Sequence, residues 1–314
     1  MSEFDLIQRY FTRPAPGAVL GVGDDAALVE VGAGKELAIS SDMLVCGTHF
    51  LVDADPFLLG HKTLAVNLSD MAAMGALPRW ATLSLALPIA DEDWLQRFSA
   101  GFFALADAHG VELVGGDTTR GPLNLCVTIL GEVPRGQALR RDGAEAGDDI
   151  WVSGVLGRAA LGLAHLKGEC VLDGAARDSC VAALQQPQPR VVLGKALRGI
   201  AHSAIDISDG LLADLGHILE RSALGAELNL KSIPIVQQGV AQPAAQQCAL
   251  TGGDDYELCF TAPAAARDTL AAVAAQIALP LTRIGQIRAG QGWVLRDAAG
   301  KEIKIEKAGY DHFA

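Results

Sequence analysis

The chain has 314 residues, half of them hydrophobic, and its formal net charge is −12 at pH 7. This length is typical of two domains of ordinary size, and the apolar content is sufficient to fill their cores. The negative charge argues against a nucleic-acid-binding surface, which needs clusters of basic side chains. The longest apolar run, residues 80–90, is too short to span a bilayer, so no membrane partner is expected.

Cysteine usage and the N-terminal sequence indicate the compartment. The six cysteines are scattered and form no CxxC pair, and the N-terminus lacks the continuous apolar segment of a signal peptide. These features predict reduced thiols in a cytoplasmic protein.

The first half of the chain predicts an α+β layer rather than a strict βαβ alternation. In chain order we expect a short helix over 4–11, a strand over 20–27 broken by a glycine turn, a strand over 36–42, a helix over 56–75, a strand over 80–87, a helix over 91–109, a strand over 112–114 that runs into a glycine-rich turn, and a strand over 123–133.

The predicted helix over 56–75 is central to the interpretation. Asp55 is a suitable N-cap, Pro56 suits the first helical position, and most of the following residues are apolar. Asn67 and Asp70 share one stripe of this helix with Thr63 and Met74. A carboxylate on a largely buried helix needs a partner, either a hydrogen-bond donor or a cation.

The polar, glycine-rich stretch 140–149 predicts the domain boundary, dividing the chain into residues 1–148 and 149–314. The second part predicts an α/β domain. Its expected elements are a strand over 150–152, a helix over 154–167, a loop over 185–190 leading to a helix through 198, a strand over 204–206 that turns into a helix over 211–221, and a strand over 258–260.

Carboxylates flanked by glycine or serine recur along the chain, most of them where an apolar strand is expected to end. They are Asp24, Asp25, Asp42, Asp70, Asp117, Asp206, Asp209, Asp254 and Asp255. Glycine and aspartate both favour turns, which explains any single case. If these carboxylates lie close together in the fold, their like charges need cations to neutralise them. The candidate ligands are oxygen donors, without paired histidines or thiolates, and such ligands favour Mg²⁺ or Mn²⁺. The chemistry suggested is phosphoryl transfer, although neither a Walker A loop nor a protein-kinase motif set is present.

The motifs as a set resemble the thiamine-monophosphate kinase family, within the aminoimidazole-ribonucleotide-synthetase-like ATP-binding superfamily. The matching stretches are GVGDDAA (21–27), AISSDMLVCGTHF (38–50), HKTLAVNLSDMAAMGALP (61–78), GGDTTRGP (115–122), VSGVLGRAALGL (152–163), IDISDGLLADLGHI (205–218), GGDDYELCF (252–260) and GYDHF (309–313). The resemblance implies an N-terminal α+β domain, which binds ATP and Mg²⁺ and whose mixed sheet pairs with its twin in a homodimer. It also implies a C-terminal α/β domain that completes the substrate cleft.

The resemblance also implies roles for individual residues. The implied Mg²⁺ ligands or their immediate support are Asp25, Ser40, Ser41, Asp42, Asp70, Asp117, Asp206 and Asp209. The implied nucleotide-binding positions are Gly116, Asp117, Arg141 and Ser208, and the implied thiamine-monophosphate contacts are His49, Asp254 and Tyr310. The family usually has Ser-Thr-Asp at 40–42 and GGED at 252–255, where this chain has Ser41 and Asp254.

The reaction implied is transfer of the γ-phosphoryl group of ATP to thiamine monophosphate, the last step of thiamine diphosphate biosynthesis, with several Mg²⁺ ions and no single residue as a base. Asp70 is the expected hub. Two alternatives remain open. One is another enzyme of the superfamily, such as aminoimidazole-ribonucleotide synthetase or selenophosphate synthetase, although the reactive N-terminal cysteine of the latter is missing. The other is a nucleotide- or metal-binding protein without turnover.

Overall fold

The computed structural model describes residues 3–310, which form two compact units. The first unit holds the described residues up to Met71 together with Ala76–Gly136, and the second holds Ala72–Gly75 and the chain from Gln137 onward. Residues 311–313 of the GYDHF motif lie outside the described residues. The predicted division of roles between residues 1–148 and 149–314 stays a prediction.

The first unit is built on a mixed sheet of four strands within the described residues, in the order β1-β4-β2-β3. Its elements are α1 Glu3–Leu6, a π-helical turn Ile7–Phe11, β1 Lys35–Val45, α2 Pro56–Ala73, β2 Leu77–Leu87, α3 Glu92–His109, β3 Glu112–Arg120 and β4 Asn124–Pro134. β2 and β3 are parallel, whereas β4 is antiparallel to both β1 and β2. These elements confirm the α+β layer predicted for this part of the chain.

The two faces of this sheet differ in burial. On β4, Leu125, Val127 and Ile129 are buried, whereas the intervening Cys126 and Thr128 are partly exposed. Because side chains alternate across a strand, one face of the sheet is covered and the other is open.

The two long helices of the first unit begin at the caps that the sequence predicts. Oδ1 of Asp55 accepts the N–H groups of Phe57 and Leu58 at the start of α2, at 2.9 and 3.2 Å. Asp91 caps α3 in the same way, accepting the N–H of Trp94 at 3.0 Å. Such caps satisfy N–H groups that have no partner within the helix.

Two glycines bring the backbones of α2 and α3 into direct contact. A Cβ atom added to Gly101 would lie 2.7 Å from the carbonyl carbon of Phe57 and still closer to its oxygen, and one added to Gly60 would lie 2.8 Å from the nitrogen of Phe102. No side chain larger than hydrogen fits at either position. The distance between α3 and α2, the helix that carries Asn67 and Asp70, therefore depends on these glycines.

Two strand predictions in the first unit are wrong in extent. Residues 20–28 form only isolated bridges, such as Leu20 with Leu28, because the glycines and adjacent aspartates favour turns. β3 continues through the residues predicted to be a turn, and Asp117 therefore lies inside a strand. Gly116, with a φ of 147°, allows this because its backbone lies close against Leu83 of β2.

The second unit contains a mixed sheet of seven strands within the described residues, in the order β11-β10-β7-β9-β5-β8-β6. The strands are β5 Asp149–Ser153, β6 Ser203–Asp206, β7 Gly225–Asn229, β8 Leu258–Ala262, β9 Leu281–Arg288, β10 Gly292–Arg296 and β11 Glu302–Ile303. The helices are α4 Arg158–Leu166, α5 Gly174–Gln185, α6 Val191–Leu197, α7 Leu211–Ser222, α8 Gln242–Thr251 and α9 Arg267–Ile277, with 3₁₀ turns at Leu230–Ser232 and Ala264–Ala266.

The core of the second unit lies between the sheet and its helices. Ile150 and Val152 of β5, Ile205 of β6, and Leu215 and Ile218 of α7 are buried together in one apolar cluster. The strands predicted over 150–152, 204–206 and 258–260 are confirmed as the central part of this sheet.

Two further observations concern the whole of the described chain. All six cysteines lie within residues 3–310 and are free. Within the same range, no helix combines the length and the apolar character needed to cross a membrane.

Candidate functional site

In the first unit, β1 and α2 bring three of the singled-out residues together. The Ser40 hydroxyl donates to Oδ2 of Asp70 at 2.5 Å, and the backbone N–H of Asp42 donates to Oδ1 of Asn67 at 3.2 Å. Asn67 is held in turn by its own amide group, which donates to the Thr63 carbonyl at 3.1 Å. Asp70 is only partly buried, so its carboxylate stays accessible at the edge of a buried helix.

The structure does not bring the Ser41 hydroxyl to this group. Strand alternation places the Ser41 side chain on the open face of the sheet, where its hydroxyl donates to the Val127 carbonyl at 3.1 Å and lies 2.9 Å from Oγ1 of Thr128. Ser40 and Asp42 lie on the opposite face, which α2 covers. The two adjacent hydroxyls therefore have different surroundings.

A second group lines a pocket of about 670 Å³ in the first unit. Asp24 and Asp25 reach it from the turn at 21–27, and Gly116 and Asp117 reach it from β3. Oδ1 of Asp24 accepts the N–H of Asp25 at 2.8 Å, which shapes the turn. The rest of the lining is partly apolar, with Phe11 among its residues. This pocket therefore combines exposed carboxylates with an apolar surface.

His49 is oriented by the end of β1. Its Nδ1 atom accepts the backbone N–H of Val45 at 3.0 Å. An acceptor nitrogen carries no proton, so this bond places the proton of the neutral ring on Nε2. His49 can thus offer a donor at Nε2.

The donor set of the first unit fits Mg²⁺. Its members are carboxylates, a hydroxyl and an amide oxygen, which are hard ligands. Within residues 3–310 no three His, Cys, Asp or Glu side chains form a preassembled metal-binding group.

In the second unit, the acidic residues surround the turn between β6 and α7. We call residues 207–210 the Ser208 loop. Asp206 at the end of β6 is buried, and Ser208 and Asp209 are half-buried. Burial, together with the charges of Asp206 and Asp209, raises the pKa of Asp214 in the first turn of α7 to about 7. The carboxylates of Asp206, Asp209 and Asp214 thus lie close together, and binding of an anionic ligand beside them is unfavourable unless cations bind as well.

Residues 254–257, here called the acidic segment, have an unusual backbone. Asp254 and Tyr256 have positive φ values of 68° and 50°, which non-glycine residues seldom adopt and which cluster at functional sites. The Tyr256 hydroxyl donates to Oδ1 of Asp254 at 3.1 Å, which orients that carboxylate. Asp254 remains half-buried.

The two other acids of this segment anchor it. Asp255 accepts the N–H of Gly157 at 2.6 Å just before α4, and burial raises its pKa to about 7. The buried carboxylate of Glu257 makes two hydrogen bonds with Arg190, at 2.5 and 2.7 Å, and accepts the Ser153 hydroxyl at 2.5 Å. The anchors explain how the strained conformation of Asp254 persists.

The two remaining predicted residues of the second unit lie nearer the surface. Half of Tyr310 is exposed, and its backbone N–H donates to the Asp209 carbonyl at 2.9 Å. The Arg141 side chain is exposed, while its carbonyl accepts the Ser222 hydroxyl at 3.0 Å.

The sequence reasoning did not single out Asp214, Tyr256 or Glu257. Asp214 lies in the first turn of an amphipathic helix, where an acid is ordinary. Its position three residues after the predicted helix start at Leu211 was the available signal, because a side chain there can reach back to the preceding loop.

Comparisons with known proteins place this chain in a family. Family models for the N-terminal and C-terminal domains of AIR synthase related proteins match residues 23–133 and 145–297. The thiamine-monophosphate kinase of Escherichia coli (strain K12) is 46% identical over 319 residues, covering 99% of this chain and 98% of the relative. The chain belongs to the thiamine-monophosphate kinase family.

Solved structures agree with this family assignment. The thiamine-monophosphate kinase of Stenotrophomonas maltophilia K279a superposes with a TM-score of 0.86 at 50% identity, over 96% of each chain. AaThiL complexed with AMPPCP and TMP superposes with a TM-score of 0.79 at 32% identity, covering 99% of this chain and 96% of that one. The two-domain fold with mixed sheets that the sequence predicted is thereby confirmed.

Proposed function

We propose that this protein transfers the γ-phosphoryl group of ATP to the phosphate of thiamine monophosphate, forming ADP and thiamine diphosphate. The observation that carries the proposal is the pocket of the first unit, where Asp24, Asp25 and Asp117 lie beside Gly116. A pocket with three carboxylates accepts a polyphosphate only together with cations, as in phosphoryl transfer. The identity of the phosphate acceptor, thiamine monophosphate, is proposed from the kinase relatives, which match almost the whole chain.

The proposed nucleotide-binding residues are Gly116 and Asp117, which line this pocket, and Arg141 and Ser208 of the second unit. The apolar wall near Phe11 offers a surface for a nucleoside, and the glycine lets the backbone approach the ligand closely. Arg141 is exposed and supplies a positive charge for phosphate oxygens.

The proposed Mg²⁺ ligands are Asp25, Ser40, Asp42, Asp70 and Asp117 from the first unit and Asp206 and Asp209 from the second. Ser41 belongs to this proposal as a support of β1, since its hydroxyl bonds to β4. Bound Mg²⁺ ions neutralise the charge of both substrates and of the transferred group. The role of Ser40 is to orient the Asp70 carboxylate by its hydrogen bond of 2.5 Å.

The acceptor is proposed to contact His49, Asp254 and Tyr310. A cationic thiazolium ring is attracted to the Asp254 carboxylate, which the Tyr256 hydroxyl orients, and Tyr310 offers an aromatic face. His49 donates from Nε2, since Nδ1 is already engaged by Val45. No general base is needed, because the attacking phosphate oxygen is already ionised near neutral pH.

The test is an assay of thiamine diphosphate formation with Asp70→Asn. This change removes a charge without changing volume, and the amide oxygen of the new side chain can still accept the Ser40 hydroxyl, so we expect an intact fold with kcat reduced by at least about 100-fold. Asp55→Asn is the matched control on the same helix. Asparagine is an equally good N-cap, and full activity is therefore expected. Near-normal turnover of Asp70→Asn at saturating Mg²⁺ would refute the proposed role.

Two rivals are separated by the same assay. ADP release with formylglycinamidine ribonucleotide but not with thiamine monophosphate would indicate aminoimidazole-ribonucleotide synthetase chemistry. Mg²⁺-dependent ATP binding without release of ADP would indicate a binding protein without turnover.

We also propose that the protein is a cytoplasmic homodimer that pairs through the open face of the first unit's sheet. Ile39 and Met43 on that face of β1 are 60% and 53% exposed, which is unusual for large apolar side chains. Sedimentation analysis of the wild type and of Met43→Asp tests the pairing, and a monomeric wild type would contradict it.

A further inference from the structure

Three of the four backbone N–H groups of the Ser208 loop donate to a single acceptor, and the fourth, that of Ile207, donates to the Glu257 carbonyl at 2.8 Å. The N–H groups of Ser208, Asp209 and Gly210 donate to the same oxygen, Oδ2 of Asp214, at 3.0, 3.0 and 3.1 Å. The Asp214 side chain is almost completely buried, with 2% of the residue exposed. Asp214 therefore fixes the shape of the loop from inside the unit.

The carbonyl groups of the same loop hold the segments assigned to the acceptor. Ser208 accepts the N–H of Asp254 at 2.8 Å, Ile207 accepts that of Tyr256 at 2.8 Å, and Asp209 accepts that of Tyr310 at 2.9 Å. The loop thus bonds to Asp214 through the N–H groups of residues 208–210 and to the acceptor-side segments through its carbonyls. Any movement of the loop is transmitted to Asp254 and Tyr310.

The backbone at Asp254 makes this support necessary. Residues with positive φ cost of order 1–3 kcal/mol each and persist only when their surroundings hold them. Asp254 and Tyr256 both have such values, and their N–H groups are held by the Ser208 loop. A loop that loses its fixed shape therefore releases the strain at Asp254.

We propose that Asp214 is a positioning residue that acts on both substrates through the Ser208 loop. It touches neither substrate. It holds Ser208 and Asp209 for the nucleotide and its cations, and through the loop carbonyls it holds Asp254 and Tyr310 for the acceptor. This inference rests on the proposed function, because that function assigns these residues to two different substrates.

The experiment compares wild type with Asp214→Asn at one fixed pH. Loss of a group that orients ligand-binding residues typically costs roughly 10- to 100-fold in affinity or activity. We expect kcat/KM to fall by about that factor for both ATP and thiamine monophosphate, and Asp214→Ala to lose more than Asp214→Asn, because asparagine keeps one acceptor oxygen. Calorimetric binding of the non-hydrolysable nucleotide AMPPCP with Mg²⁺ should weaken in parallel.

Asp148→Asn is the matched control in the same unit. Asp148 is also buried, accepts the N–H of Glu145 at 2.9 Å and contacts Nδ1 of His202 at 3.0 Å, but it supports no predicted site residue. It should lose stability while keeping both kinetic constants within about twofold, as expected of a change away from the site. If Asp214→Asn behaves like Asp148→Asn, with lower stability and unchanged kinetics and binding, the role of Asp214 is structural and the proposal is overturned.

If Asp214→Asn fails to fold, Gly309→Ala tests the same coupling, namely that the Ser208 loop links the residues assigned to the nucleotide with those assigned to the acceptor. A Cβ atom at Gly309 would lie 2.6 Å from the Asp209 carbonyl oxygen and 2.6 Å from Cβ of Ala213, so the loop must shift to accommodate it. The proposal requires weaker binding of AMPPCP with Mg²⁺ as well as of thiamine monophosphate. Weaker binding of thiamine monophosphate alone would refute the coupling. A wild type that forms no thiamine diphosphate refutes the proposed function instead, and the calorimetric comparison then decides the role of Asp214 separately.

Discussion

Replacement of Gly101 by alanine tests how the crossing of α2 and α3 positions the proposed metal site. The added Cβ would lie 2.7 Å from the carbonyl carbon of Phe57, whereas carbon atoms in contact are separated by about 3.5–4.0 Å. The helices must separate by roughly 1 Å to accommodate it. Overpacking of this kind costs about 1–3 kcal/mol, and the higher helix propensity of alanine recovers up to about 1 kcal/mol. Since the obstacle is backbone rather than a side chain that can rotate, we expect a net loss of about 2 kcal/mol.

Gly216→Ala is the matched control for this substitution. Gly216 lies inside α7, and a Cβ atom there meets nothing within 4 Å. The same change should therefore stabilise the protein by about 0.5–1 kcal/mol.

The assay has a local and a functional part. Hydrogen–deuterium exchange of peptides from α2 and α3 reports the opening free energy of these helices, and turnover reports the position of Asp70. We expect Gly101→Ala to lose protection in both helices and to lower kcat, and Gly216→Ala to do neither. Equal stabilisation by the two substitutions would show that the helices are not held at backbone contact.

Two further predictions concern single interactions. Tyr256→Phe removes the hydroxyl that donates to Asp254. Because the loss of one hydrogen bond costs about 1 kcal/mol, steady-state kinetics should show the KM for thiamine monophosphate raised by about three- to tenfold. The KM for ATP should be unchanged. An unchanged KM for thiamine monophosphate would contradict the orienting role. Burial alone would raise the pKa of Glu132, but Lys35 at 2.6 Å and the N–H of Gly32 at 2.7 Å hold this pKa below the ordinary glutamate range. A depressed carboxyl pKa contributes stability that is present above the unfolded value and lost as the pH falls through the folded value. Glu132→Gln should therefore destabilise by about 1–2 kcal/mol at pH 7, and urea unfolding should show this difference shrinking as the pH falls through the depressed pKa of Glu132, whereas a difference independent of pH would refute the assignment.

The sequence predicted those elements whose signals are local. Asp55 and Asp91 begin α2 and α3 as expected, because an N-cap acts within three residues of itself. β1 and β4 were recognisable from their apolar runs. The stripe formed by Asn67 and Asp70 on α2 was also predictable, because helical spacing alone puts them on one face.

What escaped prediction depends on contacts distant in sequence. The stretch around Gly116 has the composition of a turn, yet it forms part of β3 because the backbone of β2 lies close beside it. The resemblance groups Ser41 with Ser40 as Mg²⁺ ligands or their support, but alternation along β1 separates their hydroxyls. Asp214 was missed because its function in the fold appears only when the Ser208 loop is seen to turn back over α7.

The positive φ of residue 254 explains why aspartate is well suited to this position. The family that this chain resembles usually has glutamate at that point, and glutamate gains one methylene of reach. Aspartate is several-fold enriched among non-glycine residues in the left-handed region, because its short polar side chain interacts with its own backbone. With a φ of 68°, this chain therefore carries the acid that suits the local geometry better, at the expense of side-chain length. At the same φ, a glutamate in a homologue would either carry more backbone strain or relax it by shifting the peptide, so the two acids are not interchangeable at this position.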